Sequence, residues 1–302
     1  MRKVSVIGAS GMVGSAVVQA LKEYELDMPT HSHWDFTYQR DVESYFSIKD
    51  VDTVILCAGK VGGIKANMED PYGFLYDNAM IGLNTINSAL NSNIKYLINL
   101  SSSCVYPRLC KQPMLEEYMM TGPIEPTNEG YGFGKQVALK LAEYAGYVSL
   151  IPCNIYGAND DWTENGHVMA ALVKRLCEAK ERGDTTFVMR GTGMARREFL
   201  HSTDLANAIL FVMELMHREK TVPLIMNVGS GIDYSILQLV RMIMDAIDYH
   251  PSIEHDYSFP DGMPQKLTDV SKIQNLGWKH SIDIFDGIKF MVSEYEKNKL
   301  LG

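Results

Sequence analysis

The chain has 302 residues, 46% hydrophobic and 22% charged, which is enough apolar material for one large domain or two smaller ones. A net charge of −9 argues against a nucleic-acid partner, and no apolar run approaches the length that spans a membrane. The five cysteines (57, 104, 110, 153, 177) have no paired spacing, and the start Met1–Gly8 lacks a signal peptide's apolar core, so a cytoplasmic protein with free thiols is expected.

Lys3–Ile7 reads as a short apolar strand running into Gly8, Ala9, Ser10, Gly11, Met12, Val13 and Gly14, then a helical pattern over Ser15–Lys22. Strand, glycine turn and helix in that order suit a dinucleotide. The glycines let backbone approach a pyrophosphate, and the helix N-terminus faces it. Residues 25–41 carry no clear period. Asp35 falls about 20 residues past the last glycine, where an acid meets the adenosine ribose of NAD, whereas Arg40 nearby suits a 2′-phosphate. His31, His33 and Trp34 read as an edge loop, and no metal site is expected.

Val51–Ala58 is a buried parallel strand by its continuous apolar run, ending in the glycine-rich loop Gly59–Gly63. Phe74–Leu90 is a long helix. The next strand, Lys95–Leu100, delivers Ser101, Ser102, Ser103, Cys104 and Val105 to the same sheet edge. Hydroxyls and a thiol are poor strand material, and such edges bind ligands in doubly wound sheets. Taken alone, Cys104 is as well explained by burial.

Tyr131 and Lys135 stand four residues apart, just before the helix-forming run Gln136–Glu143. On one helix face the ammonium would lower the phenol's pKa from about 10, making Tyr131 a general acid for a carbonyl oxygen. A lone pair of this kind is more often a packed tyrosine beside a solvated lysine. Tyr147–Gly157 is another strand and its exit. Beyond it, Trp162–His167 opens a helix to about Arg182, Thr186–Met189 and Pro223–Val228 are short strands, and Met194–Asp204 leads into a helix through about His217. Pro260–Lys266 is turn-rich, and a last helix covers roughly Ile282–Lys297. The expected fold is α/β: a doubly wound parallel Rossmann sheet over residues 1–160, with later elements returning to it, and a smaller α/β substrate lobe over 161–302.

Several segments occur in order along nearly the whole chain. They are Gly8–Gly14, Lys60–Gly63, Ser102–Pro107, Lys111–Met114, Glu125–Glu129, Tyr131 with Lys135, Asn165–His167, Arg197–His201, Asn227–Gly229, Pro260–Gly262 and Leu276–Trp278. Together they resemble the GDP-L-fucose synthase family of the extended short-chain dehydrogenases. The Lys-Val-Gly-Gly and Ser-Ser-Cys-x-Tyr-Pro segments carry most of the likeness.

The resemblance implies two chemistries on a GDP-4-keto-6-deoxy sugar: epimerisation at C3 and C5, with Cys104 as base and His167 as acid, then reduction of C4 by NADP(H) with Ser102, Tyr131 and Lys135. It places Gly8, Ser10, Gly11, Met12, Val13, Gly14, Lys135 and His167 at the cofactor. It places Arg175, Arg190, Arg197, Asp261 and Lys266 at the substrate. It also implies a homodimer.

Three positions depart from the family pattern. Ser10 and Gln265 replace arginines, and Arg190 replaces a tryptophan. These departures leave open NAD rather than NADP, and a related heptose or dideoxyhexose substrate handled by a reductase alone or an epimerase alone. A non-catalytic nucleotide-sensing module on the same fold is the alternative of another class. His167, at a helix N-terminus, would need a neighbouring anion to stay protonated.

Overall fold

The structure, a computed structural model, describes residues 2–163, 166–259 and 261–301. Asn165 and Pro260, two of the motif residues, lie outside the described residues. The first half alternates strand and helix: β1 (Lys3–Ile7), α1 (Met12–Ala20), β2 (Glu25–Asp27), α2 (Gln39–Ile48), β3 (Thr53–Leu56), α3 (Ile64–Glu69), α4 (Pro71–Asn91), β4 (Tyr96–Leu100), α5 (Glu129–Tyr144) and β5 (Val148–Pro152). The second half holds β6 (Asn154–Tyr156), α6 (Val168–Arg182), β7 (Thr186–Arg190), β8 (Arg196–His201), α7 (Ser202–His217), β9 (Ile225–Val228), β10 (Asp233–Ser235), α8 (Ile236–Ile247), β11 (Ser252–Asp256), β12 (Gln265–Lys266), α9 (Ser271–Leu276) and α10 (Ile284–Leu301).

Six parallel strands form the main sheet in the order β2-β1-β3-β4-β5-β9. Alternation along β3 shows why both faces are covered. Ile55 packs with Val17 of α1 and Ile209 of α7, whereas Val54 and Leu56 pack with Tyr45 of α2, Ile86 of α4 and Ala138 of α5. Ile55 is fully buried, so Ile55→Ala is expected to cost about 2–5 kcal/mol. The chain reverses direction at β1, with β2 on one side and β3 on the other. The crevice at this switch point receives Gly8–Gly14 and Cys57–Gly63 from the strands' carboxyl ends.

The second core gathers α6, α8 and α10 around Phe187 of β7 and Phe199 of β8. Here the sequence reading needs correction. Met194–Asp204 does lead into a helix, α7, which ends at His217 as read, but the run itself is not a loop. Arg196–His201 is the strand β8, which pairs with β6, β10 and β12 in a separate small sheet. The run Tyr147–Gly157 serves two sheets, β5 in the large one and β6 in the small one, with buried Cys153 between them.

Candidate active site

One cleft of about 1740 Å³ is lined by the residues singled out for cofactor, substrate or chemistry, from Gly8 and Ser10 through His167 to Lys266, with Arg40 the exception. At its β1 end the backbone is closely fitted. Gly8 has φ +89°, and a Cβ there would lie 2.6 Å from the Ala58 nitrogen. A Cβ at Gly14 would lie 2.0 Å from the Gly8 carbonyl oxygen, so only glycine lets α1 begin inside the loop. Gly11 is the N-cap of α1; no side chain caps it and no acid occupies the first turn. This uncapped, unopposed helix N-terminus fits a dinucleotide's diphosphate. Asp35 lines the cleft, but its Oδ1 accepts hydrogen bonds from the Thr37 amide and hydroxyl at 2.9 and 2.7 Å. Arg40 stands on α2, away from the cleft lining, whereas Thr30 and His31 line it.

Beyond β4, Ser102 is extended and its Oγ accepts from the Cys104 amide at 3.2 Å, capping a short turn that aims the thiol into the cleft. Asn128 Nδ2 donates to Cys104 Sγ at 3.2 Å, and Lys266 Nζ donates at 3.3 Å. Burial by itself would push this thiol up. The Lys266 charge and hydrogen bonds from Ser102, Lys266 and Asn128 outweigh it, so the thiol sits below its ordinary value.

Helix α5 opens with Gly130, Gly132 and Gly134, an unfavourable start worth about 1 kcal/mol per glycine against alanine. Close approach explains it: a Cβ at Gly132 would lie 2.8 Å from the Cys104 carbonyl oxygen. The glycines thus let Tyr131 reach the cleft beside Ser102 and Cys104.

The expectation that Lys135 lowers the Tyr131 pKa is wrong for this state. Burial raises the phenol, the negative charge of Cys104 raises it further, and the Ser102 hydrogen bond opposes them only in part. Lys135 Nζ instead donates to the Leu100 carbonyl at 3.1 Å, and burial brings its ammonium down to about 8. Tyr131 is therefore protonated at neutral pH, the state in which a donor has to start.

His167 is the N-cap of α6, and its Nδ1 lies 2.8 Å from Asp160 Oδ1. The Asp160 side chain is fully buried, and its Oδ2 has no hydrogen-bond partner among the described residues. The hydrogen bond and charge of Asp160 raise the imidazole above its ordinary value against the pull of burial. Asp160 is thus the anion that a histidine at a helix N-terminus needs. Sequence reasoning missed it, although it stands seven residues before His167. Asn128 was missed as well, inside a segment already noticed.

The cations of the second lobe are partly committed. Arg175 NH2 donates to the Val188 carbonyl and its guanidinium lies 4.9 Å from the Phe187 ring centroid. Arg190 lies 4.8 Å over Phe259. Arg197 NH1 donates to the Arg196 carbonyl at 2.8 Å. Asp261 accepts from the Thr192 amide and hydroxyl at 2.7 and 2.6 Å, so its carboxylate fastens the turn after β7.

The NAD dependent epimerase/dehydratase family matches residues 4–229. The GDP-L-fucose synthase of Escherichia coli (strain K12) is 39% identical, over 95% of this chain and 94% of that one. The chain belongs to the GDP-L-fucose synthase family. A GDP-L-colitose synthase of Yersinia pseudotuberculosis is 35% identical, over 95% of each chain. Among solved structures, a GDP-mannoheptose C4 reductase from Campylobacter jejuni with NADP bound superposes at a TM-score of 0.87, with 27% identity over 98% of both chains. Of the departures from the family pattern, Arg190 and Ser10 line the cleft. Gln265 does not: its Nε2 donates to Asp233 Oδ2 at 2.7 Å, beside the pair of Arg196 and Asp233, so that change leaves the cleft wall alone.

Proposed function

We propose that this chain is a bifunctional 3,5-epimerase and NADPH-dependent 4-reductase acting on a GDP-4-keto-6-deoxy sugar, with GDP-L-fucose as product. The observation that carries this reading is the placement of a lowered thiol and a raised imidazole in the same cleft as Ser102, Tyr131 and Lys135. Protons beside a ketone are acidic, and inversion needs a base on one face of the carbon and an acid on the other. Cys104 takes the proton as a thiolate and His167 returns one from its imidazolium. Ser102 and Tyr131 donate hydrogen bonds to the C4 oxygen and stabilise its charge in both enolate and alkoxide. NADPH, when bound, supplies the hydride for C4. Tyr131 then gives its proton to the C4 oxygen, and Lys135 offers its ammonium to the cofactor ribose and to the emerging phenolate. Gly8–Gly14 and the α1 N-terminus hold the diphosphate, with Ser10, Thr30 and His31 serving the ribose 2′-phosphate. The cations that line the cleft, Arg197 and Arg190 among them, suit the anionic GDP end.

The division into a cofactor lobe up to residue 160 and a substrate lobe beyond it belongs to the same reading. So do a cytoplasmic location and a homodimer. The dimer is supported by exposed apolar side chains at helical spacing, Tyr72, Leu75 and Tyr76 on α4 and Phe133 and Val137 on α5. No described helix is long and apolar enough to cross a membrane.

Incubation with GDP-4-keto-6-deoxymannose in D₂O without NADPH tests the epimerase half. Deuterium at C3 and C5 by NMR is expected, followed by reduction when NADPH is added. Reduction without deuterium at either carbon would leave a reductase alone. Arg190 over Phe259 at the substrate end, where the family pattern has tryptophan, favours instead a related sugar such as a heptose or a dideoxyhexose. A steady-state preference for NADH would remove the cofactor assignment.

A further inference from the structure

We propose that Lys266 is a positioning residue whose ammonium is the dedicated counter-ion of the Cys104 thiolate, so that the base is armed only when the two lobes are joined. The proposal rests on the reading of Cys104 as the epimerising base. The geometry starts from β12. Its two residues pair in parallel with β8, placing Lys266 beside Arg197 and Gln265 beside Arg196. Successive strand side chains point to opposite faces. Gln265 accordingly turns to Asp233, and Lys266 turns to the cleft, with its Nζ 3.3 Å from Cys104 Sγ.

Both ends of this short strand are tied down. The Arg196 amide donates to the Pro264 carbonyl at 2.8 Å. On the other side the Leu267 amide donates to Gln112 Oε1 at 2.8 Å, and the Met114 amide donates to the Leu267 carbonyl at 2.7 Å. The residues after Cys104 in the chain therefore grip the strand that delivers the lysine. Lysine and cysteine are 162 positions apart in sequence and fixed to each other through backbone.

The other charged or titratable groups around the thiol do not replace Lys266. Tyr131, from α5, is a neutral phenol held protonated by burial. Glu125 is engaged by Arg108 at 3.3 Å. Arg197, from β8, feels the Cys104 charge, but it directs NH1 to the Arg196 carbonyl and makes no hydrogen bond to the thiol among the described contacts. Asn128 adds a neutral donor at 3.2 Å. An opposite charge within about 4–6 Å moves an ionisation by about one to three pH units, and the Lys266 charge is the largest of the effects that lower this thiol.

The test follows Cys104 itself. The rate of alkylation of the Cys104 peptide by iodoacetamide, read by mass spectrometry against pH, gives the thiolate fraction without any sugar. The wild type is expected to show a midpoint below the ordinary thiol value. Lys266→Met should raise that midpoint by about one unit or more, with about tenfold slower alkylation at neutral pH, and Lys266→Arg should restore most of it. An unmoved midpoint in Lys266→Met, with only a raised KM for the nucleotide sugar, would make the lysine a substrate clamp and overturn the proposal.

Should Lys266→Met fail to fold, the wild type still decides. Thiolate ultraviolet absorbance at neutral pH, taken as the difference from Cys104→Ser, must be present, and its absence overturns the proposal. A midpoint that depends on Lys266 together with no deuterium in the sugar would uphold the counter-ion and refute the epimerase reading, so the two failures are distinguishable.

Discussion

The two walls of the cleft secure the proton carriers of the proposed function by opposite routes. His167 depends on Asp160, seven positions earlier in the same connection between β6 and α6. Cys104 depends on Lys266, which a strand of another sheet brings in from 162 positions away. The acid wall is local and carries a buried anion, one oxygen of which has no partner among the described residues. The base wall is assembled from two sheets and shares its field with Tyr131, whose phenol the Cys104 charge helps to keep protonated. Local construction makes a group robust to lobe movement, and assembled construction makes it sensitive. Under the proposed function, only the base would respond to whatever moves β12.

Tyr131→Phe sharpens this comparison most, because it removes a proton that belongs to neither wall. NADPH oxidation should fall by about 10²–10⁴-fold, while deuterium exchange at C3 and C5 falls far less, since Ser102 still donates to the ketone. Single-turnover oxidation followed by fluorescence checks it, and a rate within a factor of about two of wild type would refute the assignment of Tyr131 as proton donor. Cys104→Ser strikes one wall alone. Deuterium exchange should drop by about 10²-fold or more, because a serine hydroxyl is a much weaker base than a thiolate. Reduction of a sugar already epimerised should persist, and its loss would mean that Cys104 serves both steps.

The legibility of the two walls in the sequence differed for a physical reason. Strand, glycine turn and helix at residues 3–20 are dictated by neighbours, and Tyr131 and Lys135 are joined by one helix. Local period and turn chemistry report such features. Lys266 was read as a substrate cation because nothing near it in sequence names Cys104; only the pairing of β12 with β8 does. Asp160 is close to His167 in sequence, yet Asp160-Asp161 is followed by Trp162 and no regular period, and a loop's fold cannot be read from spacing. The 194–201 run was lost for another reason: arginines at 196 and 197 hide a strand whose apolar half, Phe199 and Leu200, is only two residues long. The helix expected at Ser15 starts three residues sooner, because Gly14 tolerates an approach that a side chain would block.

Asp160→Asn breaks the acid wall by charge alone. An amide oxygen can still accept from His167 Nδ1–H and from the Asp161 amide, which now lies 2.8 Å from Asp160 Oδ1, so the loop geometry should hold. The imidazole then loses the partner that raises it, and its helix N-terminus acts unopposed. Epimerisation at neutral pH should fall by about tenfold, and the alkaline limb of its pH profile should move to lower pH. The Cys104 alkylation midpoint should not move, because the carboxylate belongs to the other wall. If both the limb and the midpoint shift together, the walls are coupled and the contrast between them fails.

The same substitution has a smaller, thermodynamic signature with a fixed sign. His167 is raised in the folded protein above the 6.5 of an ordinary imidazole. The protonated form is therefore bound more tightly by the native state than by the unfolded chain. The stability this adds is fully present below pH 6.5 and is lost as pH rises through the higher folded value. Asp160→Asn also removes a fully buried carboxylate, whose desolvation cost can offset the lost pair, so the absolute change in Tm decides nothing. The difference in Tm between wild type and variant is what carries the information. It should move in favour of the wild type on going from mildly alkaline to mildly acidic pH, by about 2 °C or less, because His167 is 40% exposed and partly screened. Calorimetry at matched ionic strength measures it. A difference that stays flat across neutrality, or grows with rising pH, would show that His167 is neutral when the protein is folded, and the acid of the proposed pair would have to be sought elsewhere.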